Sequence, residues 1–95
     1  IMAADVLIYL GDLTELFKFV HNTMLNNARF IFSIEETKKG EYEINQSGRF
    51  SHSLYYIINI SQQNNFIIET SQDIKIRKEN NKWVNGKIFS IMKNQ

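Results

Sequence analysis

Ninety-five residues, 43% of them hydrophobic and 13% aromatic, suffice for one small domain with its own core and are too rich in Phe and Tyr for a disordered chain. Eleven Lys and Arg against ten Asp and Glu leave a formal charge of +1, interspersed along the chain, so the concentrated basic stripe that nucleic-acid backbones require is missing. The lack of cysteine excludes a disulfide framework, a thiolate zinc site and a cysteine nucleophile, and no apolar run approaches the roughly 20 residues that span a bilayer.

The chain opens on residues 1–12, Ile-Met-Ala-Ala-Asp-Val-Leu-Ile-Tyr-Leu-Gly-Asp, an apolar run without the basic flank of a signal peptide, ending in a Gly-Asp turn. Its length and β-branched content predict a strand over residues 1–9 buried on both faces, as in the middle of a parallel sheet. A chain that starts on a central strand is expected to be the second half of something larger. Asp12, with Glu15 three positions on, predicts a capped helix start. Leu13, Leu16, Phe17, Val20 and Met24 then form one apolar stripe through about Leu25, and Asn26 and Asn27 suit a left-handed exit. Residues 29–34, Arg-Phe-Ile-Phe-Ser-Ile, again read as a strand covered on both sides and complete a β-α-β unit with parallel strands.

Residues 35–51 predict a long polar loop with a short extended piece at residues 42–45 and a turn at Gly48. Loops of this kind lie at the carboxyl end of a parallel strand, where open α/β sheets bind ligands. Ser51 or Ser53 can cap a second helix carrying Leu54, Ile57, Ile58 and Ser61 and ending near Asn64 and Asn65. Residues 66–70, 73–78 and 82–92 predict strands, the last two joined at Asn80-Asn81 by a two-residue hairpin turn. Gly86, inside the last strand pattern, marks a bulge or an approach too close for a side chain. One α/β unit follows, a mixed sheet flanked by helices with an antiparallel last strand. The many Ile, Asn and Lys, with no Pro, read as compositional bias.

Residues 3–13, Ala-Ala-Asp-Val-Leu-Ile-Tyr-Leu-Gly-Asp-Leu, resemble the fourth strand and following turn of class I S-adenosylmethionine-dependent methyltransferases. With Phe32-Ser33-Ile34-Glu35, and with Ser47-Gly48-Arg49-Phe50-Ser51-His52-Ser53 followed by Tyr56, the chain is similar to the C-terminal half of the predicted methyltransferases found with tetratricopeptide repeats. The resemblance implies a Rossmann-like fold in which residues 1–9, 29–34, 66–78 and 82–92 are strands four, five, six and seven, with seven antiparallel between five and six. It implies transfer of a methyl group from S-adenosylmethionine to a small-molecule acceptor by direct displacement. Where the family has Pro-Gly-Gly before strand five and Gly before the aromatic of strand six, this chain has Asn26-Asn27-Ala28 and Asn65. The family's Gly-rich turn after strand one and its ribose-binding acid have no counterpart, since Gly11, Gly40, Gly48 and Gly86 are scattered. The chain alone is therefore expected neither to bind the cofactor nor to catalyse.

By the same resemblance Ala4, Asp5 and Val6 lie beside the cofactor's methionine portion and Tyr9 near the acceptor. The alternative for Asp5, an acid in an apolar strand, is a structural bond to nearby backbone. Arg49 and His52, three apart at the start of a helix, are placed to face one pocket. There Arg49 suits a carboxylate held by a bidentate pair, and His52 suits a base taking a proton from an acceptor hydroxyl or amine. Otherwise His52 caps its helix and Arg49 fixes the loop. Tyr42 and Tyr56 line the same cleft or pack half-buried, and Trp83 serves packing or an interface. His21 and His52, the only histidines, have no acidic cluster at ligand spacing, so no metal is expected. An open edge on the first strand predicts a homodimer or a separately encoded N-terminal half as partner. A cytoplasmic location without membrane or nucleic-acid partners is expected. A non-catalytic α/β interaction or dimerisation module is the rival reading.

Overall fold

The computed structural model describes residues 2–3 and 7–94. In chain order these form β1 (Met2–Ala3), a 3-10 turn (Leu7–Tyr9), α1 (Thr14–Thr23), β2 (Arg29–Glu36), β3 (Tyr42–Ile44), β4 (Phe50–His52), α2 (Leu54–Gln63), β5 (Phe66–Glu79) and β6 (Lys82–Lys93). All six strands join one mixed sheet of order β3-β4-β2-β6-β5, with β1 also on β2. One edge of β2 belongs to antiparallel β6, so β1 and β4, both parallel to β2, share the other edge end to end. Met2 and Ala3 face Ile31 and Phe32; Ser51 and His52 face Glu35 and Glu36.

That sharing corrects the first predicted strand. Continued in its register, the segment would reach Glu36 at Leu7, where β4 already holds the edge. The chain instead turns aside at Leu7–Tyr9 and buries Leu7 in the core. The expected loop after β2 also holds more order than its polar sequence shows. β3 and β4 form a hairpin closed by Asn45 N–H to Arg49 O at 2.8 Å and Gly48 N–H to Asn45 O at 2.9 Å, with Gly48 at φ +84°.

The helices form for the reasons read in the sequence. Phe17 and Val20 are buried on α1, with Leu13 and Met24 just beyond its ends also buried, while Phe19 on the other side is exposed. Asp12 accepts from the Thr14 N–H at 2.9 Å, but Leu13 occupies the N-cap, so Glu15 stands one place too early for the return half of a capping box. Ser53, not Ser51, caps α2 by accepting from the Tyr56 N–H at 3.1 Å. Every positive-φ residue other than glycine among the described residues is an asparagine: Asn27, Asn65, Asn80 and Asn81. Asn supplies the left-handed conformation that glycine supplies elsewhere, closing the type I′ turn at Asn80-Asn81 and entering β5 at Asn65.

Along β2, Phe30, Phe32 and Ile34 are buried under the two helices, while Ile31 and Ser33 on the opposite face are half-exposed. The described residues thus cover one face, not the two that the unbroken apolar run suggested. On the second face Glu35 is buried by a bidentate pair with Arg77, at 2.7 and 3.2 Å, which reaches across β6 from β5 to β2. β5 is one strand through residues 66–79, not two, bending at register shifts between Ile68 and Thr70 and between Lys75 and Arg77.

Candidate functional site

The residues the sequence singled out gather at the carboxyl end of β2. His52 pairs with Glu36 of β2 and with Tyr42 of β3, which sets Tyr42 and His52 side by side on the helix-covered face. Tyr56 enters from the first turn of α2 and stacks on the His52 ring at 6.1 Å between centroids and an interplanar angle of 15°. Tyr42 leans against both, 5.5 Å from Tyr56 and 6.1 Å from His52. The Ser53 N–H donates to Glu41 O at 2.9 Å, drawing Glu41 and Tyr42 against the start of α2.

This aromatic cluster grips the turn after the first strand. His52 Nε2 lies 3.1 Å from Gly11 O. A carbonyl only accepts, so Nε2 carries the proton and Nδ1 keeps the lone pair, buried without a hydrogen-bond partner among the described residues. The Tyr56 hydroxyl accepts from the Leu13 N–H at 2.8 Å and donates to Asp12 Oδ1 at 3.4 Å. Burial pushes the Tyr56 phenol above its ordinary value, and the Thr14 hydrogen bonds hold the Asp12 carboxyl below the usual carboxylate range with help from Tyr56. Asp12 is therefore charged and Tyr56 neutral at neutral pH.

Burial draws the His52 pKa below 6.5 against the pull of the Gly11 and Leu10 carbonyls. The folded protein thus disfavours the proton that the unfolded chain accepts at about 6.5. Stability on this account is complete above that pH and lost as pH falls through the lowered folded value, at up to about 1.4 kcal/mol per pH unit. Urea midpoints measured at intervals from pH 7.5 to 5 should fall more steeply for the wild type than for His52→Gln, whose amide N–H can still reach Gly11 O. Equal slopes would mean that His52 titrates normally.

Arg49 does not join the cluster. Residues 50–52 turn out to be strand, not helix start, so Arg49 enters an extended segment in which positions three apart lie on opposite faces. Arg49 lies 3.8 Å from Glu79, which Arg77 also engages at 2.9 Å, so its guanidinium belongs to the Glu35–Arg77–Glu79 network. Tyr9 is two-thirds exposed on the 3-10 turn. Ala4, Asp5 and Val6 lie outside the described residues. Trp83 is half-exposed, with the Lys75 and Lys78 ammonium groups 5.7 and 5.2 Å from its ring centroid. The sequence reading missed Glu41 and Asn59, which share a cavity with Asp12, Tyr42 and Tyr56. Asn59 was findable, since it follows Tyr56 by three on one helix face; Glu41 carried no signal within its polar run.

No family model and no curated protein matches the sequence. Solved structures do match the fold. A methyltransferase dependent on S-adenosylmethionine from Methanosarcina mazei superposes with a TM-score of 0.76 at 10% identity, over 98% of this chain and 57% of that one. A putative S-adenosylmethionine-dependent methyltransferase from Listeria monocytogenes gives 0.71 at 12% identity, over 99% and 60%. The chain has the fold of the C-terminal half of a class I S-adenosylmethionine-dependent methyltransferase. The Burkholderia thailandensis 1,6-didemethyltoxoflavin-N1-methyltransferase, solved with 1,6-didemethyltoxoflavin and S-adenosylhomocysteine, gives 0.72 at 15% identity, over 99% and 44%. The chain thus spans about half the length of the structures it matches. As a methyltransferase fold it keeps the sheet β1-β2-β6-β5 in the places of strands four, five, seven and six.

The glycines do not fit the nucleoside cradle that the cofactor would need among the described residues. Gly40 and Gly48 have positive φ, and a Cβ on Gly11 or Gly86 would strike neighbouring atoms, so each glycine serves a turn or tight packing and none opens a cradle for a nucleoside. No three His, Cys, Asp or Glu residues gather at metal-ligand distance among the described residues, and no described helix is long and apolar enough to cross a membrane.

Proposed function

We propose that this chain is the acceptor-binding half of a methyltransferase acting on a small molecule, and that it is inactive alone. The observation that carries this reading is the Tyr42–His52–Tyr56 cluster clasping the Gly11–Asp12–Leu13 turn at the carboxyl end of β2, in a fold whose full-length neighbours are methyltransferases. Ligands of open α/β sheets bind at that end. The work asked of this half is to hold an acceptor in one orientation and keep water from it, which lowers the barrier by alignment without further chemistry. His52 and Tyr56 hold the turn, and any base role falls to His52 Nδ1, since Nε2 is engaged by Gly11. Tyr9, exposed on the 3-10 turn, is available to the acceptor in this reading, and Arg49 braces the far face.

The cofactor-binding half in this reading is an N-terminal methyltransferase half, carried on the same polypeptide or on a separate one. The coding sequence upstream of this chain should encode its Gly-rich strand-turn-helix. Co-purified with this chain, that product should bind S-adenosylmethionine at roughly micromolar Kd by isothermal titration, while the 95-residue chain alone gives no heat. Micromolar binding by the chain alone would overturn the division of labour. A co-purified pair that binds no S-adenosylmethionine would overturn methyl transfer itself.

A further inference from the structure

Beside the clasp lies a cavity of about 190 Å³, bounded by Asp12 and Thr14 at the entry to α1, by Glu41 and Tyr42 at the start of β3, and by Tyr56, Asn59, Ile60 and Gln63 on α2. Its chemistry is one-sided. Two carboxylates line it and no Lys, Arg or His does. The rings of Tyr42 and Tyr56 meet at 57° in its wall with centroids 5.5 Å apart, in contact with one another, and an aromatic face turned to the cavity attracts a cation resting against it. Asp12 is held in place by the Thr14 N–H and the Tyr56 hydroxyl, both of which donate to Oδ1. Asp12 is also ionised at neutral pH for the reasons given above. The Asn59 and Gln63 amides add oxygen acceptors without adding positive charge.

From this juxtaposition of a fixed carboxylate, a second carboxylate and two tyrosines in one cavity, we infer that the acceptor is a small molecule bearing an ammonium group that anchors it here, the methyl group going to a different atom because an ammonium nitrogen has no lone pair with which to attack. The inference rests on the acceptor-side reading and sharpens it. It also reverses the carboxylate acceptor that Arg49 suggested, because Arg49 stands apart at Glu79. A carboxylate group in this cavity would face Asp12 and Glu41 with no counter-charge. A neutral acceptor would leave the acidic pair unused.

The test needs no cofactor. The 95-residue chain, labelled with nitrogen-15, is titrated with choline chloride and separately with 3,3-dimethyl-1-butanol, which has the same shape without the charge. Choline should shift the amides of Asp12, Thr14, Tyr42, Tyr56 and Asn59 and bind about tenfold more tightly than its isostere, the scale of one desolvated cation–aromatic contact. Glu41→Gln, a change at an exposed side chain, should weaken choline binding several-fold and leave the isostere unchanged. Asp12→Asn, whose amide oxygen can still accept from the Thr14 N–H, should do the same. Equal binding of the two probes, no saturable choline shift at these residues, or choline binding untouched by both substitutions would overturn the inference. The methyl-transfer reading stands or falls separately, on S-adenosylmethionine binding by the co-purified pair.

Discussion

Phe17→Ala is expected to remove a large share of the domain's stability. Phe17 is fully buried and meets three other rings, those of Phe30, Phe32 and Phe66, at centroid distances of 5.7, 5.6 and 5.9 Å, each nearly edge-on. Removing it deletes the ring's burial and leaves a void that α1 can close only by leaving its place on the sheet. Core Phe→Ala changes of this kind cost about 3–5 kcal/mol. A domain of this size has roughly 5–15 kcal/mol in total, so the loss consumes a large share. Urea denaturation followed by circular dichroism should show a midpoint moved far toward zero denaturant. Phe19→Ala, two positions on and 66% exposed, should move it by less than about 0.5 kcal/mol. Equal effects from the two substitutions would mean that α1 does not present its Leu13–Phe17–Val20 stripe to the sheet.

That contrast was legible before any coordinates, because a helix stripe is a local pattern with a 3.6-residue period. So were the three turns that the four asparagines make, since each needs that residue type in one conformation. What the sequence concealed were competitions between distant segments. Nothing within residues 1–9 says that Phe50–His52 takes the remaining edge of β2, yet that occupancy ends the first strand. Nothing within residues 47–53 separates a helix start from a short strand, and the difference decides whether Arg49 and His52 share a face or oppose one another. The cluster of Tyr42, His52 and Tyr56 was anticipated as a group, but its hold on the Gly11–Leu13 turn depends on tertiary packing that brings residues some forty positions apart into contact. Gly86 falls between the two cases. Its place in a strand pattern announced a close contact, while the identity of the atoms it approaches needed the fold.

Those atoms make Gly86→Ala the second large loss. In an open strand alanine is favoured over glycine by roughly 0.5–1 kcal/mol, since it has less backbone freedom to lose on folding. Here a Cβ would overlap the carbonyl oxygen of Ile34 and the Cδ1 of Ile76. Ile76 is the extra residue in the bulge between Lys75 and Arg77, and its side chain fills the space above Gly86. A side-chain tip can rotate aside. The Ile34 carbonyl cannot, because it lies in the ladder that pairs Ile34 with Lys87 and Glu35 with Gly86. The substitution should therefore reverse the usual sign and destabilise by about 2–3 kcal/mol, the scale of overpacking in a filled core. Ile76→Ala in the same chain should leave most of that penalty in place. The strain also falls next to the site. Glu36 follows the Gly86 partner Glu35 and pairs with His52, so a displaced β2 should loosen the His52–Gly11 hydrogen bond and quicken hydrogen exchange through residues 10–13. A stability gain on Gly86→Ala would show that β2 and β6 do not cross as closely as the fold requires.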